Sequence, residues 1–207
     1  MPRFPESRNV LDPGCDRCPA LVDCRERISW GTGPLDATLA VVGEAPGAGD
    51  PDADRWRGGN WTGKAYTTRH SGRRVRALVA DLGYAGDCYF TNAVKCFPAA
   101  DDGSNREPTA AERANCRDHL RTELAQVTPD AVLATGKHAT QSLLAADGRA
   151  LDGFVDSVLD PVGVESLGVD VLPLLHPSYQ DVWLGRLGYD REGYVAAIRE
   201  ELAALVG

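Results

Sequence analysis

Lysine is scarce in this chain of 207 residues, and long apolar segments are missing. Only Lys64, Lys95 and Lys137 are lysines among 22 basic residues, so arginine carries almost all of the positive charge. No stretch approaches the roughly 18 apolar residues of a membrane helix. The first residues (MPRFPE) form no apolar signal region. We therefore expect a soluble, cytoplasmic protein with one domain over residues 1–207, of a size that buries a full core.

Several common catalytic motifs are also missing. The Gly-Lys pair at 136–137 lacks the upstream glycine of a phosphate-binding loop, and His138 stands where that loop has Ser or Thr. Residues 47–49 (GAG) are not continued as G-x-G-x-x-G, and no G-x-S-x-G surrounds Ser178. These absences argue against nucleotide hydrolysis and esterase chemistry.

The positive charge is concentrated in one segment of an acidic chain, whose formal net charge is -8. Seven basic residues and no acid lie between positions 55 and 76: Arg55, Arg57, Lys64, Arg69, Arg73, Arg74 and Arg76. Such a segment indicates a docking face for an anion, with nucleic acid the obvious candidate. A solvated arginine-rich loop is the alternative. The acid-rich, lysine-poor composition is also typical of proteins adapted to concentrated salt.

Six cysteines in an intracellular chain favour metal ligands or buried thiols over disulfides. Cys15 and Cys18 form a C-x-x-C, whereas Cys96 and Cys116 lie far downstream and form no second close pair. A zinc ribbon needs such a pair, so four thiolates from scattered segments suit an iron–sulfur cluster at least as well. Two cysteines, at positions 24 and 88, remain as candidate buried thiols.

Apolar strands alternate with amphipathic helices along the chain. Strands are predicted at 37–42, 88–94, 130–135 and 171–175, and helices at 73–82, 137–144 and 191–205. A further helix begins with a T-x-x-E capping box at Thr109 and ends near Val127. This order predicts an α/β fold, one three-layer α/β/α domain with a central, four-stranded, mainly parallel sheet. The segments 47–62, 97–108 and 147–169 are expected to be irregular.

Polar residues follow the predicted strands at the edge where sites form in such sheets. Glu44 follows the first strand, Asn92 closes the second, residues 136–138 follow the third and His176 follows the fourth. An acid, an amide and an imidazole should therefore meet at one edge.

Five motifs occur in an order that resembles the iron–sulfur uracil-DNA glycosylases of families four and five. They are C-x-x-C at 15–18, GEAPG at 43–47, TNAVKC at 91–96, Pro108 to Cys116, and HPS at 176–178. The resemblance extends from residue 15 to about residue 187. Glu44 looks like family four, whereas residues 59–63 (GNWTG) and the stretch after His176 look more like family five.

The resemblance implies removal of uracil from DNA by base flipping. His176 would donate a hydrogen bond to uracil O2 as negative charge develops, and Asn92 would contact the N3–H and O4 edge. Glu44 would orient the attacking water or help balance the positive charge of the sugar, and Asp50 falls where the family has a second acid. Tyr66 would stack on the base. As alternatives, the histidine and the asparagine are structural residues at strand ends, and the tyrosine packs on the core. The resemblance places five further residues against the substrate: Gly43, Ala45, Gly47, Asp50 and Ser178.

By the same resemblance, a [4Fe–4S] cluster would be held by Cys15, Cys18, Cys96 and Cys116, with residues 1–36 packed on the domain as a cluster-binding segment. Uracil-containing DNA would contact Lys64, Arg69, Arg73, Arg74, Tyr179 and Gln180. A monomer is expected. No lysine matches a Schiff-base nucleophile of the family, so base excision without strand cleavage is expected.

Two other functions remain open at this point. One is a glycosylase for another deaminated or damaged base, since family four mostly has Phe where this chain has Tyr66. The other is a non-catalytic iron–sulfur protein that binds DNA or carries electrons. Ala45 favours the latter, because related glycosylases outside this group have a water-activating aspartate there. The acid, amide and imidazole expected at one edge argue against a simple electron carrier.

Overall fold

The protein is described by a computed structural model that covers residues 2–206 and has one central β-sheet. The strands are β1 Leu39–Gly43, β2 Cys88–Asn92, β3 Ala131–Thr135, β4 Val162–Val164 and β5 Val169–Leu174. The helices are α1 Pro19–Cys24, α2 Gly59–Thr62, α3 Ser71–Asp81, α4 Ala110–Val127, α5 Lys137–Leu144, α6 Gln180–Trp183 and α7 Arg191–Leu205. The strand order is β2-β1-β3-β5-β4. The first four strands in this order run parallel, and β4 runs antiparallel to β5.

The predicted three-layer α/β/α architecture is confirmed by how the strands bury their side chains. Alternate residues of β1, such as Val42 and Val41, belong to different hydrophobic clusters. The first cluster includes side chains of α4 and α5, and the second includes side chains of α3 and α7. Both faces of the sheet are therefore covered, which explains why the central strands are continuous apolar runs.

The sheet has five strands, so the predicted number of four is wrong. The additional strand, β4, lies within the segment 147–169 that was expected to be irregular. It has only three residues and pairs Val162 with Val171 and Val164 with Val169 at the edge of the sheet. A strand of this length with a central glycine has too little alternation to be recognised from sequence. The short helix α2 likewise lies in the segment 47–62.

The helix predicted after Thr109 begins as expected. The Thr109 hydroxyl accepts a hydrogen bond from the Glu112 N–H, and the Glu112 carboxylate accepts one from the Thr109 N–H. The same carboxylate binds both terminal nitrogens of Arg106, at 2.8 and 2.6 Å. These bonds, with the Arg106 pair first among them, lower the pKa of Glu112. The segment 97–108 is thus attached to the start of α4.

The N-terminal segment is held against the sheet by polar contacts. The Lys64 ammonium donates to the carbonyl oxygens of Pro5 and Glu6, at 2.8 and 2.9 Å. The Asn9 side chain donates to the Tyr89 hydroxyl at 3.1 Å. Beyond these contacts, α1 packs on a small hydrophobic cluster that includes Trp30. Within residues 2–206, no helix is long and apolar enough to cross a membrane.

Candidate active site

The carboxyl ends of β1, β2, β3 and β5 surround a cavity of about 510 Å³. Glu44, Asn92 and His176, predicted to meet at this edge, all line it. The lining also includes six other residues predicted to contact substrate or DNA: Gly43, Ala45, Gly47, Tyr66, Ser178 and Tyr179. The structure therefore brings together residues that are separated by more than 130 positions in sequence.

Asn92 presents an unpaired amide to this cavity. The residue is 5% exposed, and within the described chain its side chain makes no hydrogen bond. It pairs in register with Gly43 of β1. A Cβ atom on Gly43 would lie 2.6 Å from both the Asn92 Oδ1 and the Tyr66 hydroxyl, so only glycine fits there. An amide with free donor and acceptor atoms can bind a base edge that offers both.

The backbone of Asn92 is held by the buried ion pair between Lys95 and Glu123. The Lys95 ammonium donates to the carbonyl of Asn92, the hydroxyl of Thr91 and the carboxylate of Glu123, at 2.5, 2.7 and 2.6 Å. The side chains of Lys95 and Glu123 are 1% and 0% exposed. Lys95 therefore points into the protein, and its amine is occupied by three oxygen atoms.

The carboxyl group of Glu44, which lines the cavity, has a raised pKa. Burial raises its pKa above the ordinary glutamate value, and Glu107 acts in the same direction, while His138 and Arg113 oppose the shift. Its backbone carbonyl accepts the N–H of Val94 at 2.9 Å, which fixes the turn after β1 to the turn after β2. A carboxylate with a raised pKa is a better proton acceptor near neutral pH.

His176 is held as a neutral imidazole. Its Nδ1 accepts a hydrogen bond from the Ser178 N–H at 3.2 Å, so the neutral ring carries its proton on Nε2. Burial, followed by the nearby His138, lowers the pKa of His176. A Cβ on Gly136 would lie 3.1 Å from that of His176, so the glycine allows the ring to pack against it. His176 can therefore donate one hydrogen bond without carrying a charge.

Tyr66 is fixed tightly in the cavity wall. Its hydroxyl lies 2.6 Å from the Thr135 hydroxyl, and its ring makes an edge contact with Phe90 at 5.9 Å. The backbone φ of 54° is unusual for a non-glycine residue, and the Tyr66 carbonyl accepts a hydrogen bond from Arg76. Burial raises the pKa of Tyr66 strongly, so the phenol stays protonated.

Other predicted site residues lie outside the cavity lining. Asp50, expected to contact the substrate, is exposed and its carboxylate accepts the Asp52 N–H at 3.0 Å. Its backbone N–H donates to the Arg57 carbonyl at 2.8 Å, and the residue does not belong to the cavity lining. The prediction for Asp50 is therefore not supported by its position. Lys64, expected to contact DNA, binds the carbonyls of the N-terminal segment instead of facing solvent freely.

The remaining residues predicted to bind DNA lie around the cavity mouth or near it. Tyr179 lines the cavity and is 62% exposed, and Gln180 begins α6 directly after it. Arg74 donates to the Pro177 carbonyl and to Asp181, both at 3.0 Å. Arg69 is exposed, and the Arg73 guanidinium lies 5.7 Å from the ring centre of Trp56.

The cavity contains a second histidine that the predicted site residues do not include. His138 follows β3, and its Nε2 lies 3.0 Å from the Glu107 carboxylate. Both residues line the cavity, and so does Thr135. The position of His138 after a predicted strand was the available signal, but its sequence context resembles no known motif.

The four predicted metal-binding cysteines lie together beside α1 and α4. Cys96 and Cys116 are buried in one hydrophobic cluster, against which Cys15 and Cys18 pack. Three side chains approach the sulfur atoms: Arg25 at 3.2 Å from Cys96, Asn115 at 3.3 Å from Cys18, and His119 at 3.4 Å from Cys15.

The donor set fits an iron–sulfur cluster better than a single zinc ion. Four tetrahedral zinc thiolates would lie about 3.8 Å from one another. In the described chain no three of these sulfur atoms come within 4.8 Å of one another; the group that does so is Asp12, Cys15 and His119. Burial raises the pKa of Cys96 to about 11, so binding a metal there must displace a proton. The apolar surroundings and the N–H groups directed at sulfur suit a buried cluster.

Comparison with known proteins gives consistent matches over most of the chain. A family model described as the uracil DNA glycosylase superfamily matches residues 30–203. A Type-5 uracil-DNA glycosylase of Pyrobaculum aerophilum is 33% identical, over 84% of this chain and 82% of that protein. A Type-4 uracil-DNA glycosylase of Thermotoga maritima is 30% identical, over 80% and 77%. A Type-5 uracil-DNA glycosylase of Mycobacterium tuberculosis is 28% identical, over 86% and 74%.

Proposed function

The chain belongs to the uracil DNA glycosylase superfamily, and we propose that it is a DNA repair glycosylase that removes uracil from DNA without cleaving the strand. The observation that carries this proposal is the meeting of Glu44, Asn92 and His176 in one cavity at the carboxyl edge of the sheet. A nucleotide must leave the base stack to reach such a cavity.

Recognition would depend on Asn92. Uracil presents a donor at N3 and an acceptor at O4, and the Asn92 amide offers the complementary acceptor and donor. Because this amide makes no bond to the described protein, binding uracil costs no existing hydrogen bond there. Tyr66, held by Thr135 and Phe90, would provide a rigid aromatic surface for the base.

The reaction breaks the bond between C1′ of deoxyribose and N1 of uracil, and water supplies a hydroxyl group to C1′. The bonding electrons leave with the base, so negative charge develops on uracil and positive charge on the sugar. A neutral His176 with its proton on Nε2 would stabilise the charge at O2. Glu44 would orient the water, accept its proton and balance the charge on the sugar.

The absence of strand cleavage follows from the lysines. A bifunctional glycosylase needs an accessible amine to attack C1′. Lys95 is buried and binds three oxygen atoms. Lys64 is bound to the N-terminal segment, and Lys137, exposed at the cavity lining, matches no Schiff-base nucleophile of the family. The product would therefore be an intact strand with an abasic site.

A [4Fe–4S] cluster held by Cys15, Cys18, Cys96 and Cys116 belongs to the same proposal. It would connect the N-terminal segment to the turn after β2 and to α4, a structural task. Cys96 follows Lys95 directly, and the buried ion pair connects this region to Asn92. The cluster would thus support the base-binding edge without taking part in the reaction.

The DNA strand would cross the cavity mouth along the arginine-rich segment. Arg69, Arg73 and Arg74 lie on or just before α3, and Arg74 bonds to Pro177 and Asp181, which flank Tyr179 and Gln180. These arginines would contact phosphates on either side of the flipped nucleotide. The exposed Tyr179 would fill the space that the nucleotide leaves. Lys64 is assigned a lesser part, because its ammonium already has two partners.

The test compares His176→Ala and Asn92→Ala with Glu200→Ala, a change at an exposed position of α7 outside the cavity lining. Each protein is incubated under single-turnover conditions with an oligonucleotide containing one uracil, then treated with hot alkali to reveal abasic sites. We expect about 100-fold slower excision for the two site variants. The control should match the unchanged protein, and all should retain iron and the same circular dichroism. Undiminished excision in both site variants would overturn the assignment.

A further inference from the structure

His138 is a cavity histidine that the proposed reaction leaves without a task. It is the second residue of α5, and its side chain is 18% exposed. Its Nε2 lies 3.0 Å from the Glu107 carboxylate. Its Nδ1 is buried and has no hydrogen-bond partner among the described residues. A buried polar atom without a partner is costly, which indicates that the ring is held there for another reason.

Glu107 holds the ring from a stiff part of the neighbouring loop. The residue before it, Arg106, donates to the Glu107 carbonyl at 3.1 Å and binds Glu112 with both terminal nitrogens. The Glu107–His138 contact thus joins the segment after β2 to the helix after β3. The Glu107 side chain is 74% exposed, whereas the histidine ring lies on the inner side of the pair.

Charged and titratable groups from every surrounding segment act on this position. Glu44 follows β1, Glu107 follows β2 and His176 follows β5, and all three line the same cavity. Lys137 precedes the histidine on α5 and lines the cavity too. Arg113 on α4 acts on Glu44.

We propose that His138 is a positioning residue of this site: held by Glu107 in the same cavity as Glu44 and His176, its imidazolium form favours an ionised Glu44 and a neutral His176. This inference rests on the proposed glycosylase function, because those are the states in which the two residues would act. A cation favours a nearby carboxylate and disfavours a second imidazolium.

The electrostatics of the cavity agree with this geometry. Burial alone would protonate Glu44 more readily, and His138 is the first influence that opposes the shift in its pKa. His138 is likewise the group that adds to burial in lowering the pKa of His176. One histidine therefore acts on both proposed catalytic groups in the direction that the reaction requires.

The first test needs no activity. The four histidines, at positions 70, 119, 138 and 176, can be titrated by nuclear magnetic resonance of their imidazole C–H groups. In His138→Gln we expect the pKa of His176 to rise by about one unit, since a neighbouring positive charge is lost. His70→Gln, which changes a histidine outside the cavity lining, should leave it unchanged. An unchanged His176 titration in His138→Gln would overturn the inference.

The second test is the pH dependence of single-turnover uracil excision. We expect His138→Gln to lose about tenfold more activity near pH 5.5 than near pH 8.5, because the low-pH fall of its excision rate should begin at a higher pH. An equal loss at every pH would mean a purely structural role and would overturn the inference. If the unchanged protein excises no uracil, the proposed function fails, while the histidine titration still decides the electrostatic claim.

Discussion

The buried pair of Lys95 and Glu123 should be the most sensitive polar contact in the fold. The Glu123 carboxylate accepts hydrogen bonds from Lys95 and Thr91, both at 2.6 Å, and from the Gly31 N–H at 3.1 Å. Glu123→Gln keeps the shape of the side chain but leaves the Lys95 ammonium buried without a counter-charge. Removing one partner of a buried pair costs about 3–5 kcal/mol. We expect that loss in the free energy of unfolding.

The assay is urea unfolding followed by far-ultraviolet circular dichroism, with the visible absorbance expected of the proposed iron–sulfur cluster recorded in parallel. Arg191→Gln removes a partner from the exposed pair between Arg191 and Asp81, 3.7 Å apart, and should cost at most about 1 kcal/mol. The double variant Lys95→Met with Glu123→Leu removes both buried charges and should recover much of the stability. A loss below about 1 kcal/mol in Glu123→Gln would refute the reasoning. So would a double variant whose loss is as large as that of Glu123→Gln or larger.

Three further predictions concern the site and the cluster. Gly43→Ala places a Cβ 2.6 Å from both the Asn92 Oδ1 and the Tyr66 hydroxyl, and the resulting displacement should slow uracil excision by about 100-fold in a single-turnover assay. Because burial raises the pKa of Glu44, the excision rate should begin to fall, as the pH is lowered, at a pH above the ordinary pKa of glutamate. Glu44→Gln should retain only residual activity, and the part of this fall that comes from protonation of Glu44 should be absent. Arg25→Met removes hydrogen bonds to the Cys96 sulfur and the Cys15 carbonyl, so the variant should lose iron to a chelator about tenfold faster. Arg27 is exposed, and Arg27→Met should lose iron at the same rate as the unchanged protein.

The fold was largely predictable because its strands are buried on both faces. The predicted helix over 191–205 has those bounds in the structure, and the capping box at Thr109 starts α4 as expected. The edge strand β4 was missed because three residues around Gly163 carry no recognisable alternation. The helix predicted at 73–82 begins two residues earlier, at Ser71. In both cases, contacts with the rest of the fold form the strand β4 or lengthen the helix α3, and the local sequence pattern does not show them.

The site was predictable where it depends on topology and less so where it depends on side-chain direction. The rule that sites form at the carboxyl ends of parallel strands brought Glu44, Asn92 and His176 to one cavity. Asp50 was assigned by its place where the family has a second acid, but it is exposed and lies outside the cavity lining. Lys64 was assigned by charge, but the N-terminal segment binds its ammonium. His138 follows the third predicted strand but was assigned no role, and its place in the cavity lining and its contact with Glu107 identify it as a site residue.

The central claim, excision of uracil by this cavity, is tested most directly by one comparison of substrates. End-labelled oligonucleotides of one sequence, carrying uracil, hypoxanthine, xanthine or mismatched thymine at a single position, are incubated with the iron-containing protein over a range of KCl concentrations. Half of each sample is then heated in alkali. We expect a strand break at uracil after alkali and none before it, with uracil processed faster than the other three bases. Breaks at another base in preference to uracil, or at none of the four, would contradict it.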